Sequence, residues 1–382
     1  MKKDVRILKI YGFVLFMGVG TYFPYIWLYM REIGFSNAQI GILGALGPGV
    51  MMVCQPLWGW VSDKTKKPEK VALGLSIGVI FALLLMTTAK SFIQMFLYVA
   101  LFNIFYSSLI PTFDTIVIST IEDSEVSYGQ IRWLGSLGFA LTAMIVGQVI
   151  ELTDNSIILW IYIGIALLLA FMSTKLPKAR PTNDNMLEDV KVGPLLKNRE
   201  LIIFLTAATF IGGSLAMYNT FYPFLIKDLG GGEGLLGWSM LVSAFSEIPL
   251  MFYSSKLLKR YKPQSLLLVA FGVAVLRWFL KSIAISPYQI VFLQLLHSIV
   301  FGIFYSTSVV YISRLVPERL RASGQNLFWA TTFGLGNVTA NLIAGWLYEY
   351  NTVQTVFRAA SISATIGFII MLVEIQISRD KI

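Results

Sequence analysis

One cysteine, Cys54, and one histidine, His297, are all that 382 residues supply, so no internal disulfide can form and no zinc site of Cys/His composition can be assembled. There is no GxxxxGK[ST] phosphate cradle and no GxGxxG opening a helix after a strand, which removes direct ATP drive and dinucleotide chemistry. No nucleophile, base and orienting group stand together, so an enzyme is not expected, and neither a metal nor a cofactor is. Charge is scarce as well. Only 13% of residues are Asp, Glu, Lys or Arg, against roughly 25% in an average soluble domain. With 56% hydrophobic residues and a mean hydropathy of +0.71, the chain has too little polar surface for water and too much apolar length for one buried core. Lipid must be its solvent.

Apolar runs bounded by charge or turn residues predict helices near 8–30, 39–61, 71–88, 92–119, 128–150 and 157–175, then near 201–226, 234–255, 265–284, 288–313, 324–348 and 353–375. Twelve crossings at about 20 residues each leave little for connections. A separate soluble domain has no room, and function must sit inside the bundle. The expected fold is an all-α membrane protein of twelve transmembrane helices in two six-helix bundles, residues 1–176 and 201–382, joined by a polar linker over 177–200 with Pro181, Asn183, Asp184 and Asn185. The first run, about 23 residues, is too long for a signal-peptide core and is expected to stay as helix 1.

The net charge of +9 comes from Lys and Arg that lie almost entirely in alternate connections. Lys2, Lys3, Arg6 and Lys9; Lys64, Lys66, Lys67 and Lys70; six between Lys175 and Arg199; Lys256, Lys259, Arg260 and Lys262; Arg314, Arg319 and Arg321; and Arg379 and Lys381 make 23 on one side. The other side has Arg31, Lys90, Lys227 and Lys281. By the positive-inside rule both termini and the linker are cytoplasmic, in a multi-pass protein of the cell membrane. The charge is topological and needs no nucleic acid. Glu122, Asp123 and Glu125 make the fourth connection acidic, and acids count for little in this rule.

The halves repeat. Thr21-Tyr-Phe-Pro24 is echoed by Thr220-Phe-Tyr-Pro223, and Arg31-Glu-Ile-Gly34 by Lys227-Asp-Leu-Gly230. Each turn reaches Gly41 or Gly237 of the next helix, and Pro56 and Pro249 follow, each before a basic loop.

Helix 2 ends in Gly59-Trp-Val-Ser-Asp63-Lys64-Thr-Lys66-Lys67. This resembles the GxxxD[RK]xxRR-type loop of the major facilitator superfamily, with Lys66 where that family usually has glycine. Gly59, Asp63, Lys64 and Lys67 are accordingly expected to form a loop that governs conformation, glycine permitting close helix approach and Asp63 meeting donors when the cytoplasmic side shuts. Pro111-Thr-Phe-Asp114 and Tyr128-Gly-Gln-Ile-Arg132-Trp-Leu-Gly-Ser-Leu-Gly-Phe are similar to the helix 4 and 5 signature shared by the lactose permease and phenylpropionate permease branch. So are Ser246-Glu247-Ile-Pro, Val275-Leu-Arg277-Trp and Leu295-Leu-His297-Ser. Where lactose permeases place an acid three residues after the histidine, this chain has Val300.

Ionisable residues inside spans are costly and mark function. Asp114 and Arg132 sit nearly symmetrically about the turn between helices 4 and 5, at one depth, where pairing lowers the desolvation cost. Asn103 shares a helical face with Asp114. In the resemblance this acid and arginine bind substrate; the alternative is an ion pair that locks two helices. Glu247, Arg277 and His297 fall within helices 8, 9 and 10 and form a candidate acid–base cluster, with Glu247 or Asp114 carrying the proton because Val300 cannot. For His297 a packing role stands beside the functional one. Tyr22, Tyr218, Asn219, Tyr305 and Asn326 are candidate substrate contacts; packing or interface roles are the alternative for such aromatics.

These readings converge on a secondary transporter for a small organic solute, an aromatic carboxylate, a sugar or a nucleoside. It would work by alternating access as a monomer, with substrate between the halves and protons as the coupling ion. A proton-driven exporter and a membrane sensor that binds without transporting are the alternatives.

Overall fold

The computed structural model describes residues 2–122, 126–178 and 195–379. Asp123 and Glu125 of the acidic connection and most of the 177–200 linker lie outside the described residues. Nine helices among the described residues are long and apolar enough to cross a membrane. In chain order, α1 is Lys3–Glu32, α2 Asn37–Thr65, α3 Pro68–Met86, α4 Phe92–Ile121, α5 Gly129–Leu152 and α6 the 17-residue Ile157–Ser173. Then α7 is Arg199–Asp228, α8 Glu233–Arg260, α9 Pro263–Ser282, α10 Pro287–Leu315, α11 residues 321–350 and α12 Val353–Arg379. No strand occurs among the described residues. The all-helical fold read from the hydropathy pattern is the fold observed.

Two proline positions shape the spans. The first span breaks between Tyr22 and Ile26, around Pro24. The fourth breaks at Ser107 and Ser108, where the ring of Pro111 crowds the carbonyl four residues back and the missing N–H removes a helical bond. Pro223 and Pro249 are carried inside unbroken helices. The sequence repeat is also a repeat of structure. Gly34 and Gly230 both take positive φ, +95° and +87°. In the first turn Gly34 N–H donates to the Arg31 carbonyl and Phe35 N–H to that of Met30; in the second, Gly230 and Gly231 donate to Lys227 and Ile226 in the same pattern. Both are Schellman stops, which glycine makes cheap.

The chain forms two compact units. One comprises Met1–Phe35, Gly49–Asp184 and Gly232–Leu241; the other comprises Ser36–Pro48, Asn185–Gly231 and Val242–Ile382. Each unit therefore contains the opening turns of one helix from the opposite half of the sequence. In the first unit, the Glu151 carboxylate at the end of α5 accepts the Gly234 N–H at the start of α8, 2.9 Å away. In the second, the Glu349 carboxylate at the end of α11 accepts the Ala38 N–H at the start of α2, 3.0 Å away. Ala38 and Gly234 are equivalent positions in the repeat, so two matching acids meet two matching helix N-termini, where backbone donors and the helix dipole favour negative charge.

Within the first unit Tyr22 stacks on Phe102 at 4.6 Å and α2 is tied to α4 by Trp58 Nε1–H donating to the Ile104 carbonyl. In the second, Trp278, Phe204, Phe221 and Phe224 are fully buried. Large apolar side chains such as Ile93, Trp160, Phe171 and Phe279 point outward, as a lipid solvent allows. Lys281 departs from the sequence reading. Expected in a connection on the side opposite the termini, it lies inside α9 with no exposed surface.

Close approach in the second unit is set by two glycines. A Cβ on Gly41 would fall 2.6 Å from the Asn341 carbonyl oxygen and 2.7 Å from the Gly345 Cα, both backbone. Gly41→Ala should therefore lower the thermal unfolding midpoint, with an overpacking cost of about 1–3 kcal/mol. Gly164→Ala, where an added Cβ meets nothing within 4 Å, should raise it through about 0.5–1 kcal/mol of helix propensity. Indistinguishable midpoints for the two variants would refute the backbone contact.

Candidate functional site

In the first unit the break at Ser107 and Ser108 turns the second segment of α4 so that Asp114 lies half-buried near the start of α5. Its hydrogen-bond donor is the Tyr128 hydroxyl, 2.8 Å from Oδ1. The Arg132 guanidinium packs over the Phe16 ring, 3.9 Å from its centroid, and acts on Asp114 as a nearby charge. Tyr128 interacts with both partners. The expected direct pairing thus takes the form of a triad with a phenol as the bonding member. Burial, and the Asp114 carboxylate after it, push the Tyr128 hydroxyl well above the usual tyrosine range, so it remains a donor. Asn103 is satisfied elsewhere: its Nδ2 donates to the Val99 carbonyl at 2.8 Å in its own helix. Tyr22 is 3% exposed and held in the ring stack with Phe102.

The second unit brings its predicted charges together. His297 Nε2 lies 3.2 Å from Glu247 Oε1, and His297 Nδ1 lies 3.1 Å from Arg277 Nη1. A guanidinium nitrogen can only donate, so Nδ1 is the acceptor, and in the neutral ring the proton is on Nε2, donated to Glu247. The chain continues beyond the predicted residues. Arg277 Nη2 donates to Gln294 Oε1, and Gln294 Nε2 donates to the Tyr218 hydroxyl at 2.9 Å. Lys281 Nζ donates to the same Gln294 oxygen at 3.2 Å and rests 4.1 Å from the Tyr222 ring centroid. Gln294 and Lys281 were missed as site residues. Lys281 follows Arg277 by four positions and Gln294 precedes His297 by three, spacings that put each beside its neighbour on a helical face.

A wide π turn over Ser298–Ile303 carries the histidine's other neighbours. His297, Phe301 and Tyr305 stack in parallel, with centroids 5.7 and 6.1 Å apart and planes 7° and 5° from one another. Successive members of this ladder are four residues apart, the spacing that brings side chains together on one helical face, and π turns of this kind are frequent at functional positions. Tyr305 also meets Trp329 edge to face. Asn219 and Asn326 are exposed, and neither side chain has a hydrogen-bond partner among the described residues.

The loop after α2 is exposed from Asp63 to Lys67. Lys64 lies over Trp60, and a Cβ on Gly59 would meet nothing within 4 Å, so the close helix approach expected there is not made in this structure. Lys66, the departure from the family pattern, has φ +52°. A left-handed backbone explains why glycine is usual at that position.

Twelve spans in two repeated halves, with Asp114, Glu247, Arg277 and Lys281 inside them in addition to the basic residues at their ends, define a secondary transporter. The sequence model of the MFS_1 like family matches residues 5–359, and the chain belongs to that family, within the major facilitator superfamily. It is 29% identical over 373 residues to the maltose permease of Geobacillus stearothermophilus, covering 96% of this chain and 93% of that one. It is 23% identical to the probable 3-phenylpropionic acid transporter of Escherichia coli (strain K12), covering 91% and 92%. The crystal structure of the nucleoside transporter NupG superposes with a TM-score of 0.86 at 20% identity, over 97% of this chain and 98% of that one. The protein is a multi-pass plasma-membrane transporter for a small solute, operating by alternating access, and is not an enzyme.

The αL backbone at Lys66 yields a prediction. Lys66→Gly should stabilise the purified protein by about 1 kcal/mol, the cost of a side chain in that conformation, seen as a higher thermal midpoint. A lower midpoint would show that the lysine side chain contributes more than its backbone costs.

Proposed function

We propose that the protein is a proton-coupled symporter that imports a small organic solute as a monomer, with both termini cytoplasmic. The orientation rests on the Lys and Arg asymmetry. Proton coupling rests on one observation, the unbroken chain Glu247–His297–Arg277. Its terminal carboxylate is 27% exposed while the imidazole is 14% exposed and the guanidinium fully buried. Glu247 is thus the most accessible member of the chain, and in this reading it accepts the proton. Protonation removes a negative charge two residues along the chain from Arg277, so solute contact with the guanidinium and proton occupancy of the carboxylate act on one another through His297. In the first unit Asp114, Tyr128 and Arg132 supply the second set of solute contacts.

Glu247→Gln keeps the geometry and removes the titration. In proteoliposomes this variant should retain counterflow exchange of solute and lose accumulation driven by a pH gradient. Unchanged uphill uptake would move the proton site to Asp114 or make the protein a uniporter. Asp114→Ala should abolish transport, because Tyr128 loses its acceptor and Arg132 its counter-charge, while Tyr128→Phe should reduce it by on the order of tenfold, the value of one hydrogen bond to a charged group. Normal uptake by Asp114→Ala would exclude this cluster from the solute path.

A further inference from the structure

Lys281 has no place in the proton chain, yet it is a fully buried cation one helical turn from a fully buried arginine. Like charges at that spacing repel, and desolvation adds to the cost. Its hydrogen bond goes to a neutral amide oxygen that Arg277 already uses, and its remaining neighbours are the faces of Tyr218, Tyr222 and Trp278. Arg277 Nε is buried with no hydrogen-bond partner. Counted with Lys281 protonated, Glu247 ionised and His297 neutral, the four side chains Arg277, Lys281, His297 and Glu247 carry two positive charges and one negative. Among the described residues one of these charges has no counter-ion beside it, next to a guanidinium Nε–H that has no acceptor.

From this we infer that Arg277 and Lys281 form an anion subsite in the second unit, that Lys281 determines specificity there, and that the transported solute is an organic monoanion such as a carboxylate attached to a planar ring. The ring preference follows from the parallel His297–Phe301–Tyr305 ladder that leads away from the cationic pair, with Phe301 37% and Tyr305 36% exposed. This inference rests on the proposed proton site and adds a charge rule to it. The empty site with ionised Glu247 carries a net charge of one. A proton on Glu247 adds one, and a bound monoanion subtracts one, so loaded and empty sites carry equal charge. A neutral solute with a proton would leave two buried positive charges instead. Coupling of one proton to one monoanion is therefore electroneutral.

The test uses the purified full-length chain with acid and amide pairs of equal shape: benzoate, phenylacetate and indole-3-acetate against their primary amides, together with maltose and uridine. At least one carboxylate should raise the thermal midpoint where its amide does not. Its accumulation in proteoliposomes should follow an imposed pH gradient and ignore a valinomycin-clamped potassium potential. Lys281→Met should weaken carboxylate binding on the order of ten- to a hundredfold, the value of one charged hydrogen bond. Its own midpoint in the absence of ligand should match or exceed that of the parent, because a repelled, desolvated cation has gone; a purely structural lysine would lower it. Lys281→Arg should retain carboxylate binding. The inference is overturned if no carboxylate outperforms its amide, if Lys281→Met binds as the parent does, or if accumulation responds to the clamped potential. Accumulation of maltose or uridine that is driven by pH and lost in Glu247→Gln would overturn the anion subsite while leaving the proton site standing. Carboxylate binding with unchanged uphill uptake in Glu247→Gln would do the reverse.

Discussion

Lipid cannot solvate a charge, so every ionised side chain inside this protein must be answered by another part of the protein. That constraint organises both clusters. In the first unit a phenol satisfies Asp114 while an aromatic face supports Arg132. In the second, an acid, an imidazole, a guanidinium, an amide and a phenol pass hydrogen bonds along one line. The two solutions differ in balance. The first matches one acid with one base; the second sets Glu247 and His297 against Arg277 and Lys281, the imbalance on which the proposed anion subsite rests.

The irregular turns of α10 give the line its shape. A 3₁₀ stretch over Leu293–Leu296 leads into the π turn that begins at Ser298. Overwinding and then underwinding within one helix bring Gln294 to Arg277 and Lys281 while His297 reaches both Glu247 and Arg277. His297, Phe301 and Tyr305, each four residues from the next, form the ring ladder along one side of this helix.

Much of this was legible in the residues. Hydropathy and the placement of Lys and Arg carry the twelve-span architecture, and the Gly34 and Gly230 turns match in backbone geometry as they match in sequence. Glu247, Arg277 and His297 are brought together as their depth in the spans implies. What escaped was direction about the helix axis. Depth places Asp114 and Arg132 at one level, but only the structure shows that Tyr128, next to the turn, is the hydrogen-bonding partner. Lys281, near the end of a span, reads as a loop cation by charge counting; its burial depends on the rings of Tyr218 and Tyr222 from α7, which no local pattern reveals. Gln294 stands three residues before His297 on a shared face, but its hydrogen bonds go to Arg277, Lys281 and Tyr218 on other helices, which the spacing alone does not reveal.

The exchange of helix starts between the two units bears on the order in which the protein can be made. Gly232–Leu241 belongs to the first unit although it lies beyond the linker, and Ser36–Pro48 belongs to the second although it is synthesised early. A ribosome that has completed the first six spans has therefore released a bundle still missing a strip of its own packing, with the Glu151 carboxylate waiting for an N–H not yet polymerised. The early segment of α2, with Gly41, must meanwhile wait for Gly345 and Glu349 near the end of the chain. The first unit thus has all of its segments only once Leu241 has been made, well past its own six spans, and the second only when the last helices arrive. The two complete in succession, the first later than its sequence half alone implies.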